Sequence, residues 1–528
     1  PSNPPGRSIP SCSHPTPPRS HSSRSFPCHS HSSHSSRSGY SAPPRSSNSM
    51  RTSPALTVEQ DIRLGHYLLE MRSHRANRDA VLGILFMGSN ASFWYADSDS
   101  TIKSRFIPVD SDDFVSAIMC LARANPARLG YSPHFRTSDG SVLTSQPIEG
   151  ARFIVDETAA LDTAYTLGDI ISLARALHGR CSRALGATRA GRQENYVLKL
   201  SHQVVSRANE ADLIKRAQKR EVAGLVRLYD SFTLKKLSEG PRSRLPPDLI
   251  PGMPNHLLVE DRELRVLVLA RCMPLYSVSD PHSFLKACIS LLHTICDLYE
   301  IGDIMHQDIS VNNLMVEMDN PGVGVLIDLD RAVDHRIDGN NNASSLHRTG
   351  TLPFMALDLL HDDDKYPHHL RHDLESFLYV LFWIAGRYES GSEVNLETFN
   401  EWCEGSWDKI STFKHGFITF SPSYKQFKPT HGFSFFSDGI LSFRKLLGNA
   451  HTSVTYEHQS KIAGLASTQG GNDYPQGRSP SKRQRLHLVP SIPYPPELKG
   501  VNRRDLDLIL NNALLNLGQP PPGSSTGA

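Results

Sequence analysis

Asp308 and Asn313 lie five positions apart in HQDISVNNLMV (306–316), behind His306, and Asp328 follows inside the apolar stretch VLIDLD (325–330). A carboxylate and an amide at that spacing, with a second carboxylate on the next strand, can orient a hydroxyl and hold a hard cation together. Those are the demands of phosphoryl transfer, where positioning and charge neutralisation do most of the work. Asp308 is the candidate for the hydroxyl. Asn313 and Asp328 are the candidates for magnesium, which takes oxygen ligands and few protein groups. Upstream, Lys199 sits in the apolar run ENYVLKL (194–200) as the candidate for the ATP phosphates, with Glu210 at the start of NEADLIKRAQKR (209–220) as its anionic partner. Each residue alone has a plainer reading. Lys199 fits a snorkelling strand lysine, Glu210 a helix-dipole partner, and the Asp and Asn residues fit turns and caps. The order Lys, Glu, HxDxxxxN, DxD in one chain points instead to a kinase-like phosphotransferase.

Positioning these groups requires strands and helices in a set order. ENYVLKL, VRLYDSF (226–232) and RELRVLVLA (262–270) read as strands around the helix 209–220. FLKACISLLHTICDLYEIG (284–302) carries a helical apolar stripe and leads into the HQD segment. HDLESFLYVLFWIAG (372–386) is apolar on most faces and reads as a core helix. Earlier, VLGILFMG (81–88) and ASFWYAD (91–97) form a hairpin pattern around Ser89 and Asn90, and DDFVSAIMCLARA (112–124) a helix opened by two acids.

At 528 residues the chain has room for two or three domains, and its 56 basic and 54 acidic residues leave no global field for nucleic acid or a membrane. The eight cysteines are scattered without a CxxC pair, the pattern of a reduced, intracellular protein, cytoplasmic or nuclear. No apolar run is long enough to span a bilayer. The first residues are rich in Ser, Pro, His and Arg and lack acid before Glu59, a composition that reads as disorder more than as a transit peptide. SPSKRQR (479–485) is a small basic cluster that fits a solvated linker, an import signal or a phosphorylation site. DLDLILNNALLNLG (505–518) fits a short amphipathic helix.

The chain resembles the fungal-type protein kinase domain family. The resemblance rests on HQDISVNNLMV, VLIDLD, RTGTLPFMALDLL (348–360) and HDLESFLYVLFWI, and on the FWYAD…DDFVSAIMCL…LGYSP stretch upstream. It implies an α+β, bilobal protein-kinase-like fold with a small β-rich lobe and a larger helical one. The expected division is a disordered tail (1–57), an α/β extension (58–160), an N-lobe (161–272), a C-lobe (273–455) and a mostly disordered tail (456–528). The resemblance implies Ser/Thr protein phosphorylation with ATP and Mg2+. Asp308 is then the catalytic carboxylate, Lys199 and Glu210 the phosphate clamp, Asn313 and Asp328 the metal ligands. Thr351 belongs beside Asp308, Asp373 beneath the catalytic loop, and Leu269–Met273 at the adenine hinge. Several positions depart from the general kinase pattern. HGRCSRALGATR (178–189) keeps Gly179 for the phosphate loop but places Cys181 where a second glycine is expected. Gln307, Ser310, Asp330 and Asp358 replace residues common elsewhere, though Ser310 is shared by the fungal family. Two other readings stay open: a pseudokinase or ATP-binding scaffold, and a small-molecule kinase of the aminoglycoside or choline type, which Asp330 suits and GTLPFMALDLL does not. Protein substrate and oligomeric state are not legible.

Overall fold

The computed structural model describes residues 54–156, 164–244, 261–336, 350–360, 368–424, 427–468 and 497–517. The expected disorder of residues 1–53 and the basic cluster 479–485 lie outside the described residues. Helix α1 (Pro54–Ser73) starts inside the expected tail, and the hairpin β1 (Val81–Met87)–β2 (Asn90–Ala96) follows. The turn is Gly88–Ser89, one residue earlier than the sequence suggests. Gly88 takes φ +60°, the left-handed geometry that two-residue hairpin turns require. β3 (Thr101–Lys103) and β4 (Ile107–Pro108) pair with β2. Helix α2 (Asp112–Ala122) is capped by Ser111, whose Oγ accepts the Phe114 N–H at 3.3 Å. Its apolar stripe is only partly covered, since no residue of α2 is buried.

One antiparallel sheet then runs through the middle of the chain in the order β10-β11-β9-β8-β7-β6-β5. Its strands are β5 (Phe135–Arg136), β6 (Arg152–Phe153), β7 (Tyr165–Leu173), β8 (Arg183–Arg189), β9 (Tyr196–Val204), β10 (Leu228–Lys236) and β11 (Arg262–Ala270). The sheet crosses the expected boundary at residue 160, because β6 pairs with β7. The period-2 pattern of β9 decides its facing: Tyr196, Leu198 and Leu200 enter one apolar cluster, which turns Lys199 to the other side. There it meets α3 (Glu210–Lys219), started by Asn209, whose side chain accepts the Ala211 N–H at 3.0 Å. The extension is welded to this sheet by a buried group. Arg183 donates to the Ala76 carbonyl at 2.7 Å and lies 3.2 Å from Asp79, which sits 3.4 Å from Lys235.

The remainder is mainly helical. β12 (Cys272–Pro274) leads to α4 (Pro281–Glu300), capped by Asp280 with Pro281 in the first turn. Then come β13 (Ile304–Met305), β14 (Leu314–Glu317), β15 (Gly324–Leu326), β16 (Val333–Asp334), α5 (Leu370–Arg387), α6 (Trp407–Ile418) and α7 (Ser437–Thr468). Every residue of α5 after Leu370 is buried, as its all-round apolar surface requires. Gly224 ties the sheet side to this core: its carbonyl accepts the Leu326 N–H at 2.7 Å. At φ +75°, a Cβ there would meet Thr294 Oγ1 at 1.9 Å, so only glycine fits. The last segment carries a helix where one was expected near 505–518. α8 (Arg503–Asn516) docks on α4, with Arg503 2.6 Å from Asp297 and His293 2.8 Å from Asp507. Among the described residues, no helix is long and apolar enough to cross a membrane.

Candidate active site

β13 delivers the chain into the HQD segment, and α5 holds that segment from below. Asp373 accepts the backbone N–H groups of His306 at 3.1 Å and Gln307 at 3.2 Å. Those bonds stabilise a left-handed Gln307, φ +63°, an uncommon backbone for a non-glycine residue. His306 Nδ1 accepts the Asp308 N–H at 3.3 Å, which leaves Nε2 protonated to donate to the Ile327 carbonyl at 3.0 Å. The same histidine therefore fixes both aspartate-bearing segments. The Asp308 carboxylate receives the Thr351 hydroxyl at 2.8 Å and lies 3.3 Å from Arg331 Nε. Asn313 Nδ2 donates to the Asp308 carbonyl at 2.8 Å, bracing the loop across its five-residue span.

A second group forms where β9, α3 and the strand after β15 converge. Lys199 Nζ lies 2.9 and 2.7 Å from the Glu210 oxygens, 2.5 Å from Asp328 Oδ1 and 4.0 Å from Asp330 Oδ2. Asp328 occupies the left-handed region, φ +68° and ψ +66°, and Glu210 Oε1 accepts the next N–H, from Leu329, at 3.1 Å. Burial costs each of these charges, and the neighbours decide the outcome. Asp328, Glu210 and Asp330 overcome burial and hold the Lys199 ammonium well above the usual lysine range. Lys199 and Arg180 overcome it at Asp328, whose carboxyl sits well below the usual range. At Glu210, burial and the nearby Asp328 and Asp330 prevail over Lys199 and push the carboxyl up to about 7.

The loop between β7 and β8 comes next to this group but presents it differently from expectation. Gly179 takes φ +91°, and its N–H is given to the Ser98 carbonyl at 2.6 Å rather than turned toward the acids. Arg72 donates to the Leu177 carbonyl at 2.5 Å and to Ser98 Oγ at 2.7 Å. His178 reaches the Asp97 carbonyl at 2.9 Å and Thr101 Oγ1 at 3.0 Å. Cys181 keeps a glycine-like backbone, φ +44°, despite its side chain. From this strapped loop Arg180 extends to Asp330, with which it forms an ion pair.

Lys199, Glu210 and Asp328 thus share one cluster, and Asp308 and Asn313 share the adjoining loop, braced by Thr351 and Asp373. Gly179 joins neither group, its N–H being committed to Ser98, and the loop reaches the cluster through Arg180. The expected hinge, Leu269–Met273, links β11 to β12. Asp358, one methylene shorter than glutamate, is buried against Arg371 and 3.0 Å from His372. Arg180, Arg331 and Asp330 are the site residues that the motif pattern missed. The Arg180 signal lay in HGRC, a cation where a phosphate loop carries small residues. Asp330 was visible only as a departure. Glu210, Asp328 and Asp330 offer oxygens within 4.8 Å of one another. Asp330 Oδ2 is buried and makes no hydrogen bond among the described residues. Such hard, close-set donors fit a divalent cation.

No curated protein matches the chain. Among solved structures, that of vaccinia related kinase 3 overlaps 72% of this chain and 94% of its own, at 15% identity and a TM-score of 0.37. A protein-family profile described as fungal protein kinase matches residues 48–245 and 234–385, more than half of the sequence. A kinase of this kind uses ATP and a divalent metal in general, as the cluster of acids around Lys199 suits. The chain belongs to the fungal protein kinase family.

Proposed function

We propose that this protein transfers the γ-phosphate of ATP to Ser or Thr hydroxyls of proteins with Mg2+. In this reading the fold is bilobal, the sheet above and the helices below, with the site between them. The observation that carries it is the separation of labour in the site: Lys199 binds Glu210 and Asp328 at 2.5–2.9 Å, while the Asp308 carboxylate stands apart from them, held by Thr351 and Arg331. Lys199, fixed by Glu210, binds the phosphates. Asp308 orients the acceptor hydroxyl and takes its proton as the new O–P bond forms and the bond to ADP breaks. Asp328 and Asn313 hold magnesium, which supplies charge neutralisation on the phosphates. For Asn313 that role uses the carbonyl end of its amide, since its NH2 is donated to the Asp308 carbonyl. A protein acceptor is supported by GTLPFMALDLL, whose end is pinned by Asp358 to Arg371 and His372.

A second reading, a nucleotide-binding scaffold without transfer, is favoured by one observation: the Gly179 N–H is committed to the Ser98 carbonyl. Asp308→Asn separates the two. With Mg-ATP and a peptide library, read by phosphopeptide mass spectrometry, the wild type phosphorylates and Asp308→Asn falls by about 10²–10⁴-fold with nucleotide binding retained. Wild type and variant that are equally silent, while both bind Mg-ATP, would leave the scaffold reading standing. Transfer to small amines or sugars without peptide phosphorylation would move the acceptor to a small molecule.

A further inference from the structure

A phosphate loop ordinarily works through backbone N–H groups turned toward the ligand, which is why glycine recurs in it. In the segment between β7 and β8 three of those groups are spent inside the protein. The N–H of Ala174 goes to the Ser182 carbonyl, that of Ala176 to the Ala174 carbonyl and that of Gly179 to the Ser98 carbonyl. The Arg180 carbonyl is likewise fixed, accepting the His202 N–H at 2.8 Å. What the loop does send into the site is one guanidinium. Arg180 pairs with Asp330, and Asp328 and Asp308 also act on its charge.

We propose that Arg180 is a phosphate-binding residue: its guanidinium contacts the triphosphate of ATP from the loop side, where the Gly179 N–H is committed to Ser98. The inference rests on the reading of the site as an ATP site. It explains two departures together. A loop tied to the extension by Arg72, Ser98 and His178, with the Gly179 N–H turned to Ser98, can still aim a long cationic side chain. A guanidinium is suited to this, since its planar fork binds two phosphate oxygens at once. Asp330, in turn, gives Arg180 a fixed anionic partner when no phosphate is there, so the side chain is held at the site. Lys199 meets the phosphates from the β9 side and Arg180 from the loop side, so that the two cations flank the same group.

The test compares ligands that differ only in phosphate. Binding of ATP and of adenosine, each with Mg2+, is measured calorimetrically on the full chain for wild type, Arg180→Ala and Arg180→Lys. The expected result is a loss of ATP affinity of about ten- to hundredfold in Arg180→Ala, the size of a lost charge-assisted hydrogen bond. Adenosine binding stays at the wild-type level, and Arg180→Lys falls between. The contrast between ligands cancels any general damage to folding, because a misfolded site loses both. Equal losses for ATP and adenosine, or no loss for either, overturn the assignment. A gain in ATP affinity in Arg180→Ala also overturns it, by showing the guanidinium to be a plug. Wild type that binds no ATP overturns the reading of the site itself and the Arg180 role with it, a result distinct from ATP binding indifferent to Arg180.

Discussion

The two sides of the candidate site are built in opposite ways. On the catalytic-loop side, short local segments do the work. Asp308, Asn313 and His306 lie within eight residues, and Asp373 fixes their backbone from a single buried helix. On the nucleotide side, the loop between β7 and β8 is held by residues far away in sequence: Arg72, Asp97, Ser98 and Thr101. One side keeps its chemistry in the spacing of side chains. The other is held in place by a strap supplied by the extension. The extension is therefore part of how the site is shaped, and its sheet continuity with β7 through β6 and β5 is the mechanical reason.

The largest effect should come from the residue where the two sides meet. Lys199→Met leaves Glu210, Asp328 and Asp330 facing one another, with Arg180 as the remaining cation on Asp330. Breaking a buried pair by removing one partner costs about 3–5 kcal/mol. The loss has a pH signature. Glu210 already sits at about 7 against an ordinary 4.5, and without Lys199 it rises further, while Asp328 loses the partner that lowers it. The folded variant then binds more protons than the unfolded chain at neutral pH, so its stability falls as pH rises through that window. Thermal unfolding at pH 6 and pH 8 should show a wider gap from wild type at pH 8. A gap independent of pH would mean that the three acids are not electrostatically one group, and the two sides would be uncoupled.

Legibility in the sequence follows the same division. HxDxxxxN and the aspartate of VLID were readable because the side chains themselves carry the chemistry at a fixed spacing. The helices read at 209–220, 284–302 and 372–386 fall on α3, α4 and α5, the last two legible from their apolar faces. Arg180 was not, since its role depends on where a loop is held, and the holding residues lie about eighty to one hundred positions upstream. The helix 503–516 was legible as amphipathic, but its docking on α4 depends on Asp297 and His293, which no local pattern links to it. The domain edge at 160 was drawn between two stretches read separately, 58–160 and 165–272, whereas β5 and β6, which carry the sheet across it, are two residues each and too short to signal themselves.

A smaller change sharpens the strap. Arg72 is buried, and Arg72→Ala strands the Leu177 carbonyl and the Ser98 hydroxyl. The expected cost is about 1–3 kcal/mol of stability for unsatisfied buried groups. Its reach should be uneven. Hydrogen exchange should speed up in the loop 174–182 and stay unchanged in 306–313, where Asp373 holds the backbone independently. Equal loosening of both segments would show that the extension supports the whole site and that the contrast between its sides is false.

The smallest effect is expected at Cys181, and it bears on the question that the loop raises. The residue keeps φ +44°, which costs a side chain about 1–2 kcal/mol relative to glycine. The thiol is buried and directed at the Ala176 carbonyl at 3.5 Å, so the strain is offset by burial of roughly 1 kcal/mol. Cys181→Gly should therefore shift stability by no more than about 1 kcal/mol in either direction, seen as a small change in Tm. The KM for ATP should stay within about twofold of wild type, below the tenfold that 1.4 kcal/mol would give. Restoring the glycine does not free the Gly179 N–H from Ser98 or loosen Arg72 from Leu177. A severalfold fall in KM would mean that glycine content, and not the strap, limits how the loop meets phosphate, and the nucleotide side would then resemble the catalytic side in being governed by its own residues.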